Sequence, residues 1–599
     1  MEKLHFAQLV FAQAKKYGDR TALCYRDKVT DEWTRISWTS LSNQVSTIAK
    51  AFIELGLAEQ QRVAQFSQNK AENLIVDFAL FTNRAIVVPM YATSSASQVE
   101  FIVNDAGIEI IFVGDQHQYN IALEVLENSK FLKKIIVFDK DVVFTDTEHT
   151  MYFSDLLALG EKSTKHFEVQ QRQDEAVGKD ISCILYTSGT TGNPKGVMLP
   201  HSCFKEAMRT HPIRLTSITD KDTSIAFLPL SHVFERTWCY FCLFKGVIIY
   251  INQFPVDIQQ TIKDVRPTLM CAVPRFWEKV YAGVQENLSK FSPFMQGVVT
   301  WAIATGKKHN VDCLRVGKKP DIFLQLAYSL ADRLIFSKVK QTLGIENANI
   351  LPTAGAKLSD ELSLFFRSIG IPIIYGYGLT ESTATVCCYD YVNYEIGTVG
   401  NIMPDLKVKI GEDNEILLKG KTIFSGYYNN PEATAAAFTE DGWFKTGDAG
   451  YIKDNKIVLT DRIKDLFKTS NGKYIAPQEI ETRLGVDKYI EQVAVIGNER
   501  NYVTAIISPS IANLEAYAKE NKIQYENIDQ LLQSPLIYEL IKSHIYESQK
   551  GMASYELIKK FTLIPKSFTI ETGELTNTLK IRRAVVMQKY KLQIDEMYS

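Results

Sequence analysis

The sequence lacks several features that would mark it for secretion, a membrane or a nucleic acid. Its 599 residues carry a formal net charge of -2, so the basic excess of nucleic-acid-binding proteins is missing. Nine cysteines are scattered without regular spacing, which favours reduced thiols and predicts a cytoplasmic protein. The first residues show no apolar run followed by a cleavage site, so we expect no signal peptide. No stretch reaches the roughly 18 consecutive apolar residues of a membrane span.

One segment comes closest to a membrane-binding stretch. It is "SPFMQGVVTWAIATGKKH", Ser292–His309, which is too short to span a bilayer and ends in a basic cluster. A core helix is the favoured interpretation, and a helix lying in the membrane interface is the alternative. Weak contact with the inner face of a membrane therefore stays open at this stage, as does a homodimer.

The order of apolar runs predicts the fold class. Through the first 460 residues, short runs such as "AIVVPMYA" and "ISCILYT" alternate with amphipathic stretches such as "VSTIAKAFIELG". This alternation indicates an α/β domain of parallel-rich sheets covered by helices. Shorter strands and turns follow from about Glu415, and a separate compact α+β region follows "DRIKD". We predict a large domain at residues 1–461, a hinge at 462–464 and a small domain at 465–599.

A glycine-rich stretch carries the first functional signal. "YTSGTTGNPKGV", Tyr186–Val197, follows an apolar strand and combines hydroxyls, glycines and a lysine. Exposed amides, hydroxyls and an ammonium group are suited to bind phosphate oxygens. The Walker A pattern does not fit, because Pro194 precedes Lys195 and Gly196 follows it. A flexible surface turn is the alternative, although such turns rarely combine these residues after a buried strand.

This stretch closely resembles the phosphate-loop motif of the adenylate-forming superfamily. That superfamily includes acyl-CoA synthetases, firefly luciferase and the adenylation domains of peptide synthetases, and further motifs follow here in the same order. The resemblance implies a large domain, a small mobile C-terminal domain, and the use of ATP with Mg²⁺. It implies that Thr191 and Lys195 act in catalysis, with Thr191 also near the metal. The residues expected to hold the β- and γ-phosphates are Thr187, Ser188, Gly189, Thr190, Thr191, Gly192 and Lys195.

A second motif, "YGYGLTES", offers a flat surface and hard oxygen atoms. Tyr377 has a face for stacking, and Glu381 is the natural ligand for Mg²⁺, which prefers carboxylate, phosphate and water oxygens. In the resembled family this motif contacts adenine and binds the metal, which makes Glu381 a catalytic residue as well. A strand-end turn with a surface glutamate is the alternative. The nucleotide contacts expected from this motif are Tyr375, Gly376, Tyr377, Gly378 and Thr380.

Three shorter motifs complete the nucleotide site that the resemblance implies. "TAGAKLS" places Gly355 and Ala356 against the adenine base. "KTGDAGY" supplies Asp448, expected to accept both ribose hydroxyls, although an isolated T-G-D is more often only a turn. "DRIKD" supplies Arg462 as a second ribose or phosphate contact and Lys464 at the hinge position.

The last part of the chain supplies a lysine from the small domain. By composition alone, "GELTNTLKIRR" is a solvated basic face. The resemblance instead makes Lys580 the mobile catalytic lysine, which reaches across the hinge to the α-phosphate and the substrate carboxylate. It also implies that "TSNGKYIAP" lines the tunnel for the CoA thiol, with Gly472 allowing close approach.

Two further stretches indicate the acid that is activated. "LPLSHVFERTW" and "PTLMCAVPRFWEKV" resemble bacterial-type long-chain fatty acyl-CoA synthetases, with His232, Phe234 and Trp238 bordering the acyl tunnel. The gate tryptophan of some relatives lies closer to the histidine than Trp238 does. We therefore predict an AMP-forming ligase whose substrates are a fatty acid, ATP and CoA. The alternatives are an amino-acid adenylation module or fatty acyl-AMP ligase, a luciferase-like oxygenase, and a binding protein without activity.

Overall fold

The computed structural model describes residues 5–187, 194–463, 466–470, 474–576 and 580–599. These residues form a large N-terminal part with three β-sheets, named A, B and C here, and a smaller C-terminal part. The expected Ser188, Gly189, Thr190, Thr191 and Gly192, and also Lys464 and Gly472, lie outside the described residues.

Sheet A has eight strands and carries the entry to the glycine-rich stretch. Six of its strands, beginning with Ile181–Thr187, run parallel to one another. Two more strands extend the sheet beyond Ile181–Thr187, each through antiparallel pairing with its neighbour. All five residues of Ile86–Met90 are buried, as expected for a strand covered on both faces. The strand order is Gly426–Tyr427, Lys195–Pro200, Ile181–Thr187, Ile86–Met90, Arg62–Phe66, Ile110–Val113, Lys134–Val137 and Thr150–Tyr152.

Sheet B has five strands, of which the first four run parallel and the last is antiparallel. Single parallel bridges from Leu269 to Ile350 and from Ala272 to Thr353 join its first edge to sheet C. The strand order is Leu269–Met270, Thr223–Ala226, Ile248–Ile251, Thr21–Arg26 and Trp33–Ser37.

Sheet C has eight strands, and only its first pair is parallel. The change of texture expected from about Glu415 therefore corresponds to antiparallel hairpins. The strand order is Leu351–Thr353, Ile373–Tyr377, Cys387–Cys388, Asn401–Ile402, Lys456–Arg462, Phe444–Lys453, Glu415–Lys419 and Lys407–Ile410.

Helices cover these sheets. Ala71–Thr82 is buried on nearly every side because its apolar run packs between Phe6–Tyr17 and Trp38–Glu54. The other α-helices of the large part are Ala96–Ala106, Gln116–Asn128, Phe153–Lys162, His166–Asp174, His201–Arg214, Val233–Lys245, Ile258–Val265, Pro274–Ser289, Pro293–Gly306, Ile322–Ala331, Ser337–Leu343, Asp360–Ser368 and Pro431–Ala437. Short 3₁₀ or π turns occupy Pro255–Asp257, Lys307–Cys313, Leu314–Val316, Asp332–Phe336, Thr380–Ser382 and Glu412–Asn414.

The C-terminal part is built around a sheet of three strands, Ile490–Ile496, Val503–Pro509 and Ile558–Leu563. The first pair is antiparallel and the second pair is parallel. A short hairpin of Phe467–Lys468 and Tyr474–Ile475 precedes this sheet. The helices are Pro477–Leu484, Ile511–Glu520, Ile528–Leu532, Pro535–Ser548, Arg583–Lys589 and Lys591–Tyr598.

The fold class predicted from the sequence is confirmed. Buried apolar side chains form two clusters within residues 6–457 and two others within residues 467–597. The chain thus has a large α/β N-terminal domain and a smaller α+β C-terminal domain, each with its own core. The boundaries at 461 and 465 stay a prediction, and the two sets of clusters lie on either side of them.

The segment Ser292–His309 is not the core helix that was favoured. Its helix, Pro293–Gly306, buries Val299 and Ala302 but leaves Phe294 and Trp301 exposed. Within the described ranges, no helix combines the length and apolar character needed to cross a bilayer.

The start of the described chain supplies a pH-dependent contribution to stability. His5 caps the first helix by accepting the Ala7 N–H, and its ring packs 3.7 Å from that of His201. Burial, opposed by Asp180 and reinforced by Arg84, lowers the pKa of His5 from 6.5 to about 4. Between these values the unfolded chain holds a proton that the folded chain excludes. The free energy of unfolding should therefore fall as the pH drops from 6.5 towards 4, by up to ~1.4 kcal/mol per pH unit.

A His5→Asn variant tests this dependence, because asparagine keeps the N-cap acceptor and does not titrate. Its melting temperature should fall less between about pH 7 and pH 5 than that of the wild type. His117→Asn, at an exposed position, serves as the control. Equal losses in wild type and His5→Asn would contradict the assignment.

Candidate active site

The two ends of the glycine-rich stretch lie side by side at the edge of sheet A. Strand Ile181–Thr187 pairs antiparallel with Lys195–Pro200, so that Thr187 is opposite Lys195. The Thr187 hydroxyl donates to the Lys195 carbonyl at 3.5 Å. The Lys195 side chain is exposed. The structure thus brings together these two of the expected phosphate-binding residues.

Tyr427 links this hairpin to the expected metal ligand. Its strand pairs with Lys195–Pro200, and its ring lies 5.0 Å from the Lys195 ammonium. The Tyr427 hydroxyl donates to Oε1 of Glu381 at 2.9 Å. Lys195 and Glu381 therefore flank the same tyrosine, which brings a cation and a carboxylate close to each other beside sheet A.

Glu381 lies in the turn Thr380–Ser382, directly after strand Ile373–Tyr377. Burial raises the pKa of its carboxyl above 4.5, while the hydroxyl of Tyr427 and the charge of Arg462 oppose that rise. The Tyr427 contact uses one of about four acceptor positions of the carboxylate. The remaining positions suit Mg²⁺, a hard cation that prefers oxygen ligands.

The surroundings of Glu381 limit how a metal could be held. Among the described residues, no three histidine, cysteine or acidic side chains form a metal-binding group. A Mg²⁺ ion bound by Glu381 would complete its shell mainly with phosphate and water oxygens, as is usual for Mg²⁺. Thr191, the other expected metal contact, lies outside the described residues.

A hairpin sets the position of Asp448. Strands Phe444–Lys453 and Lys456–Arg462 are joined by Asp454 and Asn455, both with positive φ, as in a type I′ turn. The resulting register places Asp448 opposite Arg462. Oδ1 of Asp448 lies 3.3 Å from Nε of Arg462.

Tyr377 completes this arrangement, because its hydroxyl donates to Oδ2 of Asp448 at 2.6 Å. Asp448 is only 6% exposed and is held on both oxygens by separate partners. A carboxylate fixed in this way can accept hydrogen bonds from vicinal hydroxyls such as those of a ribose. The structure thus unites Tyr377, Asp448 and Arg462, which the sequence motifs supplied separately.

The expected adenine-side residues fall into an exposed loop and a packed strand. Gly355 has a φ of 95° and is exposed together with Ala356, so this loop is open to a ligand. The Tyr375 hydroxyl donates to the Ala356 carbonyl and accepts the Leu358 N–H, both at 3.1 Å. Tyr375 therefore supports the loop from its buried side.

The glycines of "YGYGLTES" have a packing reason that the sequence did not reveal. A Cβ atom on Gly378 would lie 1.7 Å from the Ala384 carbonyl oxygen, and one on Gly376 would lie 2.9 Å from the Cys387 carbonyl oxygen. Both glycines thus allow close approach of the protein's own backbone. Thr380 is partly exposed at the start of the turn that carries Glu381.

His232 begins the helix Val233–Lys245 on the expected acyl side. Its Nδ1 accepts the Phe234 N–H at 3.2 Å, so the neutral ring carries its proton on Nε2. Burial, reinforced by the charge of Lys580, lowers the pKa of His232 to about 4. The ring is therefore neutral near pH 7. Trp238 is buried, and its indole N–H donates to the Ser224 hydroxyl at 3.0 Å, so it is a packed core residue.

Lys580 lies in the C-terminal domain, yet its charge reaches His232 in the large domain. Its backbone is fixed by a pair of hydrogen bonds with Thr576, at 2.8 Å and 3.1 Å. The charge of Lys580 therefore contributes to the low pKa of His232.

Several described groups join the C-terminal domain to the large domain. Arg275 reaches the backbone carbonyl of Glu491 at 2.7 Å and its carboxylate at 2.9 Å. Lys357, in the loop that follows Gly355 and Ala356, lies 3.6 Å from the Glu479 carboxylate. Val486 adds an apolar contact with the large core.

Sequence reasoning missed a buried network behind His232. Arg236 pairs with Asp77, and Tyr240 donates to the same carboxylate at 2.8 Å. Arg236 also donates from Nε to the Leu230 carbonyl at 2.7 Å, which fixes the loop that leads to His232. The available signal was charge inside two apolar runs, Asp77 in "LIVDFALF" and Glu235 with Arg236 in "VFERTWCYF".

Trp277 was also missed as a supporting residue. It is fully buried, and its indole N–H donates to the Thr353 hydroxyl at 2.8 Å. Because Thr353 immediately precedes the loop with Gly355 and Ala356, Trp277 steadies the expected adenine side.

Groups of this kind, which are suited to phosphates, a divalent cation and ribose hydroxyls, are typical of enzymes that activate a substrate with a nucleoside triphosphate. The chain belongs to the AMP-binding enzyme family. The model of that family matches residues 10–428, and the model of the AMP-binding enzyme C-terminal domain matches residues 464–599.

Similar proteins cover nearly the whole chain. The long-chain-fatty-acid–CoA ligase FadD15 of Mycobacterium tuberculosis is 30% identical, over 99% of this chain and 97% of its own length. The long chain acyl-CoA synthetase 3 of Arabidopsis thaliana is 29% identical, over 94% of this chain and 87% of its own length.

Solved structures support the fold. The adenylation domain of a carboxylate reductase from Mycobacterium chelonae aligns with a TM-score of 0.78 at 21% identity, over 100% of this chain and 92% of that one. The corresponding domain from Segniliparus rugosus, solved with AMP and a co-purified carboxylic acid, aligns with a TM-score of 0.76 at 20% identity, over 100% and 94%.

Proposed function

We propose that this protein is an AMP-forming ligase that joins a long-chain fatty acid to CoA, with ATP and Mg²⁺. Membership of the AMP-binding enzyme family supports this activity, as do relatives named as a long-chain-fatty-acid–CoA ligase and a long chain acyl-CoA synthetase. The observation that carries the proposal is the arrangement around Tyr427, whose ring lies 5.0 Å from the Lys195 ammonium and whose hydroxyl donates to Glu381 at 2.9 Å. A cation and a carboxylate held by one residue are suited to ATP with Mg²⁺.

The nucleotide would be held from two sides. Thr187 and Lys195 flank the loop expected to hold the β- and γ-phosphates. Asp448 would accept the ribose hydroxyls, and Arg462 would be a second ribose or phosphate contact. Glu381 would hold Mg²⁺, which when bound neutralises charge on the phosphate oxygens. Tyr427 keeps the Glu381 carboxylate in place through its hydroxyl.

In the first step the fatty-acid carboxylate oxygen attacks the α-phosphorus, and the bond to the β-phosphate oxygen breaks to release pyrophosphate. Negative charge builds at the α-phosphate in this transition state, where Lys580 would stabilise it. His232 stays neutral because its pKa is about 4, so the acyl side gains no second positive charge near pH 7.

In the second step the thiol of CoA loses its proton and attacks the acyl carbonyl, and AMP leaves. We propose that the small domain, residues 465–599, rotates about residues 462–464 between the steps, which withdraws Lys580. Gly472 would then lie along the thiol path. Lys464 and Gly472 rest on the sequence motifs alone, since they lie outside the described residues.

Product analysis tests the activity directly. With ATP, Mg²⁺, CoA and acids from C2 to C20, we expect acyl-CoA, AMP and pyrophosphate in equal amounts, with the highest kcat/KM for long chains. Omitting CoA should leave an enzyme-bound adenylate and pyrophosphate exchange. Release of ADP and orthophosphate would contradict the proposal. Transfer to a carrier protein or oxygen-dependent light emission, without acyl-CoA, would instead favour the alternatives considered from the sequence.

A further inference from the structure

Two neighbouring helices of the large domain carry a concentrated apolar surface. The helix Pro293–Gly306 packs against Ile322–Ala331, and the turn Asp332–Phe336 continues the second helix. Of the 28 large apolar side chains that are exposed in the described part of the chain, ten lie within residues 291–334. We call them the apolar surface: Phe291, Phe294, Trp301, Leu314, Val316, Ile322, Phe323, Leu326, Leu330 and Leu334.

The second helix makes the largest contribution to this surface. Ile322 and Leu326 are 67% and 64% exposed, and Phe323 is 81% exposed. At 100° per residue, Ile322, Phe323, Leu326 and Leu330 share one side of the helix. Within Ile322–Ala331 only Ala331 is buried. A helix of this apolar character normally lies inside a protein, so its exposed side requires a partner.

The inner side of this helix pair is firmly attached to the domain. Asn310 donates to the Ser368 carbonyl at 2.9 Å, and the rings of His309 and Tyr328 stack 4.0 Å apart. A Cβ atom on Gly306 would lie 2.2 Å from the same Ser368 carbonyl oxygen, which shows how closely the first helix approaches. The apolar surface is therefore presented on a fixed scaffold.

A second element extends the surface. The Asn393 N–H donates to the Arg315 carbonyl at 2.6 Å, which brings the 391–394 loop beside the turn Leu314–Val316. Tyr391 and Val392 in this loop are 58% and 41% exposed. Tyrosine suits the boundary between water and a hydrocarbon layer, because one end of its side chain is polar.

The same segment is strongly basic. Residues 306–340 contain eight lysine or arginine residues and three aspartates, a formal net charge of +5 in a chain whose total is -2. One of these cations, Lys340, is paired with Asp332 at 2.9 Å. Six others have exposed side chains: Lys307, Lys308, Lys318, Lys319, Arg333 and Lys338.

We propose that the apolar surface and its basic surroundings dock the protein reversibly onto a membrane that contains anionic lipids. Apolar side chains would enter the interface, and the cations would contact lipid phosphates, the combination that holds interfacial helices on membranes. A second copy of the chain fits less well, since a symmetric dimer would place each +5 segment against its equal. The proposal deepens the proposed function, because long-chain fatty acids partition into membranes, although binding itself requires no activity.

Cosedimentation of the full-length chain with sucrose-loaded vesicles tests the proposal. We expect binding to phosphatidylcholine vesicles with about 30 mol% phosphatidylglycerol, weaker binding to pure phosphatidylcholine, and loss of the difference at high salt. The double variant Phe323→Glu with Leu326→Glu should bind anionic vesicles at least about 10-fold less tightly. Phe167→Glu, at a 78% exposed apolar position outside the apolar surface, is the matched control and should bind like the wild type.

A second double variant and an activity assay with a soluble acid distinguish loss of membrane docking from loss of activity. Lys318→Glu with Lys319→Glu should remove the preference for anionic lipid, because it reverses two exposed charges. Pyrophosphate exchange with a soluble acid such as octanoate should be unchanged in both double variants, so failure of the proposed function and failure of docking are distinguishable. Absence of vesicle binding by the wild type, or equal binding by the apolar variant, would overturn the proposal. So would a homodimer in ultracentrifugation that the apolar variant dissociates, since the surface would then belong to self-association.

Discussion

Lys580→Ala is expected to slow adenylate formation by about 10²- to 10³-fold, the usual effect of removing one fixed charge from a transition state, ~3 kcal/mol. The same variant should form thioester from chemically made acyl-adenylate and CoA at a rate similar to that of the wild type. The reason is that Lys580 would act only in the conformation described here, in which its charge reaches His232. Pyrophosphate exchange and thioester release measure the two half-reactions separately.

Two variants sharpen this test. Lys559→Ala removes an exposed lysine from the same domain and should leave both half-reactions unchanged. Lys464→Pro should show the reverse pattern of Lys580→Ala, because the fixed φ of proline at the expected hinge would hinder rotation while sparing adenylate formation. If Lys580→Ala damages both halves equally, a single-conformation site becomes the better description.

Glu381→Gln is expected to lower kcat/KM by at least about 10²- to 10³-fold and to raise the Mg²⁺ concentration needed for half-maximal activity. Glutamine keeps an oxygen that can accept the Tyr427 hydroxyl, so the local packing is retained while the negative charge is lost. Tyr427→Phe is the matched control, since it removes that hydroxyl and keeps the ring beside Lys195. Its effect should be much smaller.

The pH dependence offers a second readout for Glu381. Burial raises the pKa of this carboxyl, and only its ionised form is a good Mg²⁺ ligand. As the pH falls towards that raised pKa, more Mg²⁺ should be needed for half-maximal activity and for the thermal stabilisation produced by ATP with Mg²⁺. Near-normal activity of Glu381→Gln at low Mg²⁺ would show that the metal is held elsewhere.

The sequence was most informative where chemistry requires particular residue types in a fixed order. The alternation of apolar and amphipathic runs predicted the α/β fold, and the motifs around Lys195, Glu381 and Asp448 predicted groups that the structure brings close together. These residues could be predicted because phosphate, metal and ribose each require a specific type of donor or acceptor.

Other features could not be read because they depend on pairing between distant parts of the chain. Tyr427 reaches Glu381 because strand Gly426–Tyr427 pairs with the edge of sheet A. No local sequence pattern predicts this pairing. Asp77 and Arg236 are 159 positions apart and meet only after folding. The sequence also did not predict that Phe323 and Leu326 are exposed, since an apolar helix of this kind is usually buried.

Two of the described contacts between the domains are ion pairs. Arg275 with Glu491 and Lys357 with Glu479 are partly exposed pairs, each worth roughly 0–1 kcal/mol in water. Added salt should therefore weaken these two contacts between the domains. Contacts of this strength would give way readily when the small domain rotates between the two half-reactions.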